Sequence, residues 1–111
     1  MGISPDSRAA VEETDSSVWS WGGYFELHPQ VTWQQLGEET VVMSFSTGSF
    51  FALNETGGFI FQHLLSANHT PAQVLEALIN QYDLEAVTAR QDLIQCVTQL
   101  LTLGLLQPKH A

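Results

Sequence analysis

The chain has 111 residues, 44% of them hydrophobic, which suffices for one folded domain but not for several. Three Lys and Arg residues against twelve Asp and Glu residues give a formal net charge of −9 at pH 7. This charge disfavours nucleic-acid binding, because contacts to phosphate require cationic side chains. A single cysteine excludes an internal disulfide and a cysteine-based metal cluster.

Residues 1–24 are predicted to form a flexible acidic arm that ends in an aromatic segment. Residues 1–18 mix Ser with Asp and Glu, and such a segment buries too little apolar surface to offset the entropy lost on ordering. The aromatic segment that follows, residues 19–25, could pack back onto the domain or contact another protein. We see neither a signal-peptide pattern nor a run of about 20 apolar residues, so we expect a cytoplasmic protein with no membrane partner.

Residues 31–53 alternate between apolar and polar side chains with a period near two, which predicts strands at 31–36, 40–46 and 49–53. The segments between these strands contain glycine and are short enough for hairpin turns. We therefore predict an antiparallel meander whose first and third strands are its edges.

Three helices are predicted after the third strand. Asn54 is a suitable N-cap for a first helix near residues 55–66, and Thr70-Pro-Ala-Gln73 is the signature of a capping box that starts a second helix. A third helix is predicted to begin between residues 83 and 86 and to end at Gly104. The fold class is therefore α+β, a winged helix-turn-helix-like arrangement of a three-stranded antiparallel sheet followed by three helices.

No catalytic motif is apparent in the sequence. The histidines lack the paired spacing of metal ligands, and Cys96 lies between apolar residues of the third helix, where a thiol is usually an inert buried group. Gly57-Gly58 lacks the spacing and the Lys of a nucleotide-binding loop, so close packing of a helix against the sheet is the better interpretation. We predict no enzymatic activity, no cofactor and no metal.

The third strand is the most informative segment. It consists of Ser49, Phe50, Phe51, Ala52 and Leu53, and it contains neither the charged residues nor the proline that usually protect a sheet edge. Its free main-chain groups could accept an added strand from another chain. Alternatively, the N-terminal segment covers this edge, and the sequence does not distinguish the two arrangements.

The third helix provides a second surface. Its apolar residues cover more than a single stripe, with Leu93, Val97 and Leu100 on one line and Ile94 and Leu101 beside it. Such a helix either lies deep in the core or contributes one flank to a groove. A groove next to the strand edge would hold an extended peptide.

The run Ser-Thr-Gly-Ser-Phe-Phe-Ala-Leu-Asn-Glu-Thr-Gly-Gly-Phe-Ile-Phe at residues 46–61 resembles the PqqD-like proteins, with His28-Pro29 before it and Leu103-Gly104 after it. These proteins are peptide chaperones and are also called RiPP recognition elements. The likeness covers about residues 26–107, so residues 25–107 are assigned to a PqqD-like peptide-binding domain.

The resemblance implies a non-enzymatic protein that binds the leader segment of a ribosomally synthesised precursor peptide and presents it to a modifying enzyme. That enzyme would be, for example, a radical SAM enzyme, a protease or a cyclase. The resemblance also implies that the leader pairs as a strand with residues 49–53 and places side chains against Leu93, Val97 and Leu100 of the third helix.

Two further functions stay open on the sequence alone. The chain could be a scaffolding or regulatory subunit that contacts a larger enzyme through its aromatic segment, or a winged-helix DNA-binding regulator, which the acidic charge disfavours. The pathway, whether for pyrroloquinoline quinone, a lasso peptide or another product, is also open, and so is a homodimer formed through the edge strand.

Overall fold

The period-two segments form the predicted antiparallel meander. The computed structural model of the protein describes residues 19–66 and 69–109. Within these residues the strands are β1 (Phe25–Leu27), β2 (Val31–Leu36), β3 (Glu39–Ser44), β4 (Ser49–Leu53) and β5 (Leu106–Pro108). Strands β2, β3 and β4 form one antiparallel sheet with β3 at its centre, which confirms the predicted topology. Phe45 and Ser46 belong to the turn rather than to the strand predicted at 40–46, because β3 ends where Ser44 pairs with Ser49.

The predicted block of three helices is also confirmed. The helices are α1 (Glu55–Leu65), α2 (Pro71–Tyr82) and α3 (Ala86–Thr102). The side chain of Asn54 accepts a hydrogen bond from the Gly57 N–H at 2.7 Å and so caps α1. Just after α3 the chain turns at Gly104, whose φ of 75° favours glycine.

One apolar core lies between the helices and a face of the three-stranded sheet. Val42 of the central strand is fully buried, and so is Phe61 of α1. The core also draws on all three helices and on the segment after α3, through the buried residues Ile60, Leu64, Val74, Leu78, Ala89, Leu93, Val97, Leu100, Leu105 and Leu106. The face of the sheet that carries Val42 is therefore its helix side, and the other face points away from the core.

Strands β1 and β5 form a second antiparallel sheet that the sequence analysis did not predict. Phe25 pairs with Pro108, and Leu27 pairs with Leu106. Each strand has only three residues, too few for a hydrophobic period to be recognised. This small sheet joins the start of the predicted domain to its end.

The aromatic N-terminal segment packs back onto the domain. Trp19 is 7% exposed and belongs to the core, and its indole N–H donates to the Thr98 hydroxyl at 3.4 Å. The guanidinium of Arg90 lies over the Trp21 ring, 4.7 Å from the ring centroid. Part of the segment assigned to the arm is therefore packed into the domain; residues 1–18 of that segment lie outside the described residues.

Helix α1 approaches β3 most closely at Gly58. A β-carbon at this buried position would overlap the Oγ1 atom of Thr40, which is itself 1% exposed. The Thr40 hydroxyl donates to the Gln35 side chain and accepts from the Gln62 side chain, both at 3.0 Å. The interpretation of Gly57-Gly58 as a helix–sheet packing element is confirmed.

Candidate functional site

The directions of the main-chain groups in the sheet follow from one hydrogen bond. The Phe45 N–H donates to the Gln30 carbonyl at 2.7 Å. These two residues lie opposite each other, because the next pair in the ladder is Val31 with Ser44. Hydrogen-bonded and non-bonded pairs alternate along an antiparallel ladder. Met43 therefore directs its main-chain groups toward β2, and the residues on either side of it direct theirs toward β4.

The same alternation fixes the outer edge of β4. Val42 directs its main chain toward β4, where its partner is Phe51. Phe51 therefore bonds inward, and its neighbours Phe50 and Ala52 direct their N–H and carbonyl groups away from β3. No strand of the described part of the chain lies beside this edge. Two donors and two acceptors are thus available there for an added strand.

A groove runs between this edge and α3. It consists of two adjoining cavities of about 330 Å³ each, which share Ala52, Leu53, Cys96 and Gln99 in their linings. On the helix side, the lining residues Asp92, Cys96, Gln99 and Leu103 recur every three or four positions, as residues on one helical stripe do. The groove is therefore formed by one face of α3 and the edge of β4, and the first turns of α1, with Thr56, Gly57 and Ile60, close it at the Leu53 end.

The two ends of the groove differ in polarity. Near Leu53 the lining includes the Asp92 carboxylate and the side-chain amides of Gln95 and Gln99. Near the start of β4 the lining is apolar and consists mainly of Phe50, Phe51, Leu100 and Leu103. Leu103 is 45% exposed, so this large apolar side chain is open to a ligand in the groove. Phe50 is 68% exposed, but its side chain lies on the outer face of the sheet, as does that of its partner Met43.

Cys96 lies at the centre of the groove and lines both cavities. Burial of the half-buried thiol and, to a smaller extent, the nearby carboxylate of Asp92 raise the pKa of Cys96 to about 12. The thiol is therefore protonated at neutral pH and is a poor nucleophile. Its position suits it to contact a ligand by packing.

The residues predicted from the sequence fall into two groups. Ser49, Phe50, Phe51, Ala52 and Leu53 form β4 and line the groove or its edge. On α3, Leu100 lines the apolar end of the groove although it is only 2% exposed. Leu93 and Val97 are 0% exposed and lie in the core, so they offer a ligand no surface.

The groove-facing stripe of α3 was missed because it is mostly polar. Asp92, Gln99 and their neighbours lie one position away from the apolar residues that were chosen. In the sequence, the apolar line through Leu93 and Val97 marks the core side of the helix, and the adjacent flank carries no apolar pattern. This stripe of polar and apolar residues could have been found only by examining the helix positions next to Leu93 and Val97 whatever their hydrophobicity.

A third cavity, of about 380 Å³, lies on the other side of α1 and is lined by residues that include Gln35, Gln62 and Tyr82. The two glutamine side chains are bonded to each other at 2.6 Å, and the Tyr82 hydroxyl donates to Glu55 at 3.3 Å. These polar groups thus already have partners within the protein.

Neither a metal cluster nor a membrane span is present in the described residues. No group of three His, Cys, Asp or Glu side chains in residues 19–66 and 69–109 could hold a metal ion. In the same part of the chain, no helix has the length and hydrophobicity needed to cross a bilayer.

Comparison with known proteins places the chain among peptide-binding relatives. A solved structure described as TbiB1 in complex with the TbiA(beta) leader peptide is 22% identical and has a TM-score of 0.69; the match covers 78% of this chain and 99% of that one. This match supports the fold. A second structure, a lasso peptide synthetase B1 complexed with the leader peptide, is 32% identical at a TM-score of 0.69, and the match covers 76% of this chain and 98% of that one.

No curated protein sequence is significantly similar to the chain. The family model for coenzyme PQQ synthesis protein D (PqqD), however, matches residues 39–106, which include most of the central sheet and all three helices. The resemblance seen in the sequence is thereby confirmed. Because this match covers more than half of the sequence, and because the second structure adds a relative of 32% identity, the chain belongs to the PqqD family.

Proposed function

We propose that this protein binds the leader segment of a ribosomally synthesised precursor peptide and presents it to a modifying enzyme. The leader adds to β4 as a further strand and receives hydrogen bonds from, and donates them to, Phe50 and Ala52. The observation that carries this proposal is the outer edge of β4, with its outward main-chain groups, which no strand of residues 19–66 and 69–109 covers and which lies beside a groove.

The dimensions of the groove support an extended ligand. The five residues of β4 span about 14 Å at roughly 3.4 Å per residue. The helical stripe from Asp92 to Leu103 spans about 16 Å at 1.5 Å per residue. A peptide strand of about five residues would therefore contact strand and helix along its whole length. Two solved structures with this fold are described as complexes with leader peptides, which supports the same conclusion.

The residues of the proposed site are those of β4 together with Leu100, Cys96, Gln99 and Leu103. Leu93 and Val97, predicted as contacts, would instead hold α3 in place from the core. The site performs binding only, and the chemistry belongs to the partner enzyme, for example a radical SAM enzyme, a protease or a cyclase.

Two alternative functions have less support. Arg90 is the only Lys or Arg in α3, so this helix offers a single cation to a DNA backbone, and the guanidinium of Arg90 already lies over the ring of Trp21. A scaffolding role through the aromatic segment would need exposed side chains; Trp19 and Phe25 are buried, and the exposed aromatic side chain of residues 19–25 is that of Tyr24, at 44% exposure.

The proposal is tested by titrating the protein with a fluorescently labelled leader peptide from the short precursor encoded beside its gene, followed by anisotropy. We expect saturable binding at low micromolar concentration or tighter. Replacing Ala52 with Pro removes an outward N–H, and we expect the affinity to fall at least tenfold, about 1.4 kcal/mol or more. Ala52→Ser is the matched control, because it keeps the N–H and should bind within about twofold.

A second measurement covers the case in which Ala52→Pro does not fold. Leader peptides methylated at single backbone nitrogens are titrated against the unchanged protein. Methylation at alternate positions should weaken binding, because only alternate residues of an added strand bond to β4. Equal affinity for folded Ala52→Pro and the unchanged protein would contradict docking on β4, and a folded protein that binds no leader would contradict the proposed function.

A further inference from the structure

Strand geometry determines which side chains of an added peptide enter the groove. Residues that lie opposite each other on neighbouring strands place their side chains on the same face of the sheet. Phe51 lies opposite the buried Val42, so the face of Phe51 and Leu53 is the helix side. Peptide residues opposite Phe51 and Leu53 therefore direct their side chains into the groove, and those opposite Phe50 and Ala52 point to the outer face.

These two inward positions meet different surroundings. The peptide side chain opposite Phe51 reaches the apolar end, beside Leu100 and Leu103. The side chain opposite Leu53 reaches the polar end, beside Asp92 and Gln95. The two peptide positions are separated by one residue, because the side-chain period of a strand is two.

The polar end favours a positively charged side chain. None of the residues that line the groove is a Lys, an Arg or a His, so Asp92 gives this end a negative charge with no cation in the lining. The whole chain carries a net charge of −9, which favours a cationic ligand at longer range as well. A Lys or Arg opposite Leu53 would bring the complementary charge to the Asp92 carboxylate.

We propose that the groove selects peptides with one large apolar side chain and one Lys or Arg two positions away, and that Asp92 is the residue that determines the second preference. This inference rests on the proposed function, since it takes β4 as the docking strand. If the peptide runs antiparallel to β4, the cation precedes the apolar residue in its sequence; if it runs parallel, the order is reversed.

The inference is tested by selecting a displayed library of random twelve-residue peptides on the full-length protein. We expect enrichment of a Lys or Arg spaced two positions from an apolar residue, with the order reporting the strand direction. Selection on Asp92→Lys should replace the cation by Asp or Glu and keep the apolar position. Glu76→Lys is the matched control, because it makes the same charge change at an exposed site of α2 outside the groove and should leave the preference unchanged.

Affinities of single peptides complete the test. Changing the selected Lys or Arg to Gln should weaken binding to the unchanged protein by about two- to fivefold at low salt, as for an exposed ion pair, and should not weaken binding to Asp92→Lys. If peptides bind with a dependence on Ala52→Pro but show no cation preference, or keep that preference in Asp92→Lys, the inference is wrong and the proposed function stands. If no selected peptide depends on β4, the proposed function itself is contradicted.

Discussion

At Gly58 the distance between α1 and the sheet is set by a missing side chain. Any larger residue there would overlap the Thr40 hydroxyl, which already bonds to two glutamine side chains. A glycine inside a helix costs up to about 1 kcal/mol relative to alanine. The close approach offsets this cost, because it lets the buried residues of α1 reach the central strand.

Replacing Gly58 with Ala should therefore destabilise the protein despite the better helix propensity of alanine. We expect a loss of about 1 to 2 kcal/mol in the free energy of unfolding, since overpacking typically costs about 1 to 3 kcal/mol. Urea unfolding followed by circular dichroism measures it. The cost should be smaller in a Thr40→Ala background. An increase in stability on Gly58→Ala would contradict the contact described.

Cys96 provides a chemical probe of the groove, because it is the only cysteine of the chain. Its pKa is raised from 9.0 to about 12, so the thiolate fraction at pH 8 should be about a thousandfold lower than in the unfolded chain. We expect iodoacetamide to react correspondingly more slowly with the folded protein than with the same protein in urea. The rate should rise about tenfold per pH unit between pH 8 and 11. Equal rates in the two states would show that the thiol is not buried as described.

The same shift has a consequence for stability. The folded protein holds the thiol proton more tightly than the unfolded chain does, so the contribution of this group is complete below pH 9 and is lost as the pH rises toward 12. Replacing Cys96 with Ala should flatten the pH dependence of the free energy of unfolding in this range. An identical pH dependence in the variant would assign the loss to other groups.

Among the elements, the starts of α1 and α2 were predictable from the sequence because their capping hydrogen bonds are local. The Thr70 hydroxyl accepts from the Gln73 N–H at 3.3 Å, and the Gln73 side chain accepts from the Thr70 N–H at 2.8 Å. All the groups involved lie within four consecutive residues, so the four-residue pattern suffices to predict the start of α2.

Thr70→Ala removes one half of this capping box and should cost about 1 kcal/mol in the free energy of unfolding. Thr70→Ser keeps the hydroxyl and should cost less than half as much. Chemical denaturation of the unchanged protein and the two variants measures these free energies of unfolding. Leader binding should be the same in all three, because Thr70 lies outside the proposed site. Equal losses in the two variants would show that the hydroxyl does not stabilise the helix.

The residues of the edge strand β4 were predicted from the sequence, but the directions of their main-chain N–H and carbonyl groups were not. Whether Ala52 bonds inward or outward depends on the phase of the ladder, which is fixed by the turn at residues 45–48 and by the pairing of Gln30 with Phe45. Neither is visible in the composition of the strand. For α3, Leu93 and Val97 were predicted as peptide contacts because they are apolar, whereas both side chains are buried in the core and the groove is lined by the neighbouring flank of the helix.

At the scale of the whole molecule, the core extends beyond the region that matches the family model. That region begins at residue 39, whereas Trp19 and Phe25 are buried in the same core, with their ring centroids 6.4 Å apart. The sequence alone does not predict whether the aromatic segment packs inward, because a tryptophan beside glycines suits either a core or an interface.

Trp19→Ala should cost about 3 kcal/mol in the free energy of unfolding, as large-to-small substitutions in a core do. Trp19→Phe should cost less, because it keeps most of the apolar contact and loses mainly the hydrogen bond to Thr98. Thermal unfolding ranks the variants. A loss below about 1 kcal/mol for Trp19→Ala would place this side chain outside the cooperative core.

The pairing of β1 with β5 brings Phe25 next to Pro108, so the chain segments before the three-stranded sheet and after the helices are held together at one point. In polymer terms, the part of the chain between these two strands is a loop that is closed by the β1–β5 pairing. A unit of this kind can be inserted into a surface turn of a larger enzyme if the inserted segment also carries residues 19–24, because Trp19 is part of the core. The outer edge of β4, which no described strand covers, lies away from the β1–β5 contact, so an inserted copy would keep its groove and hold a bound peptide at a fixed distance from the host's catalytic centre.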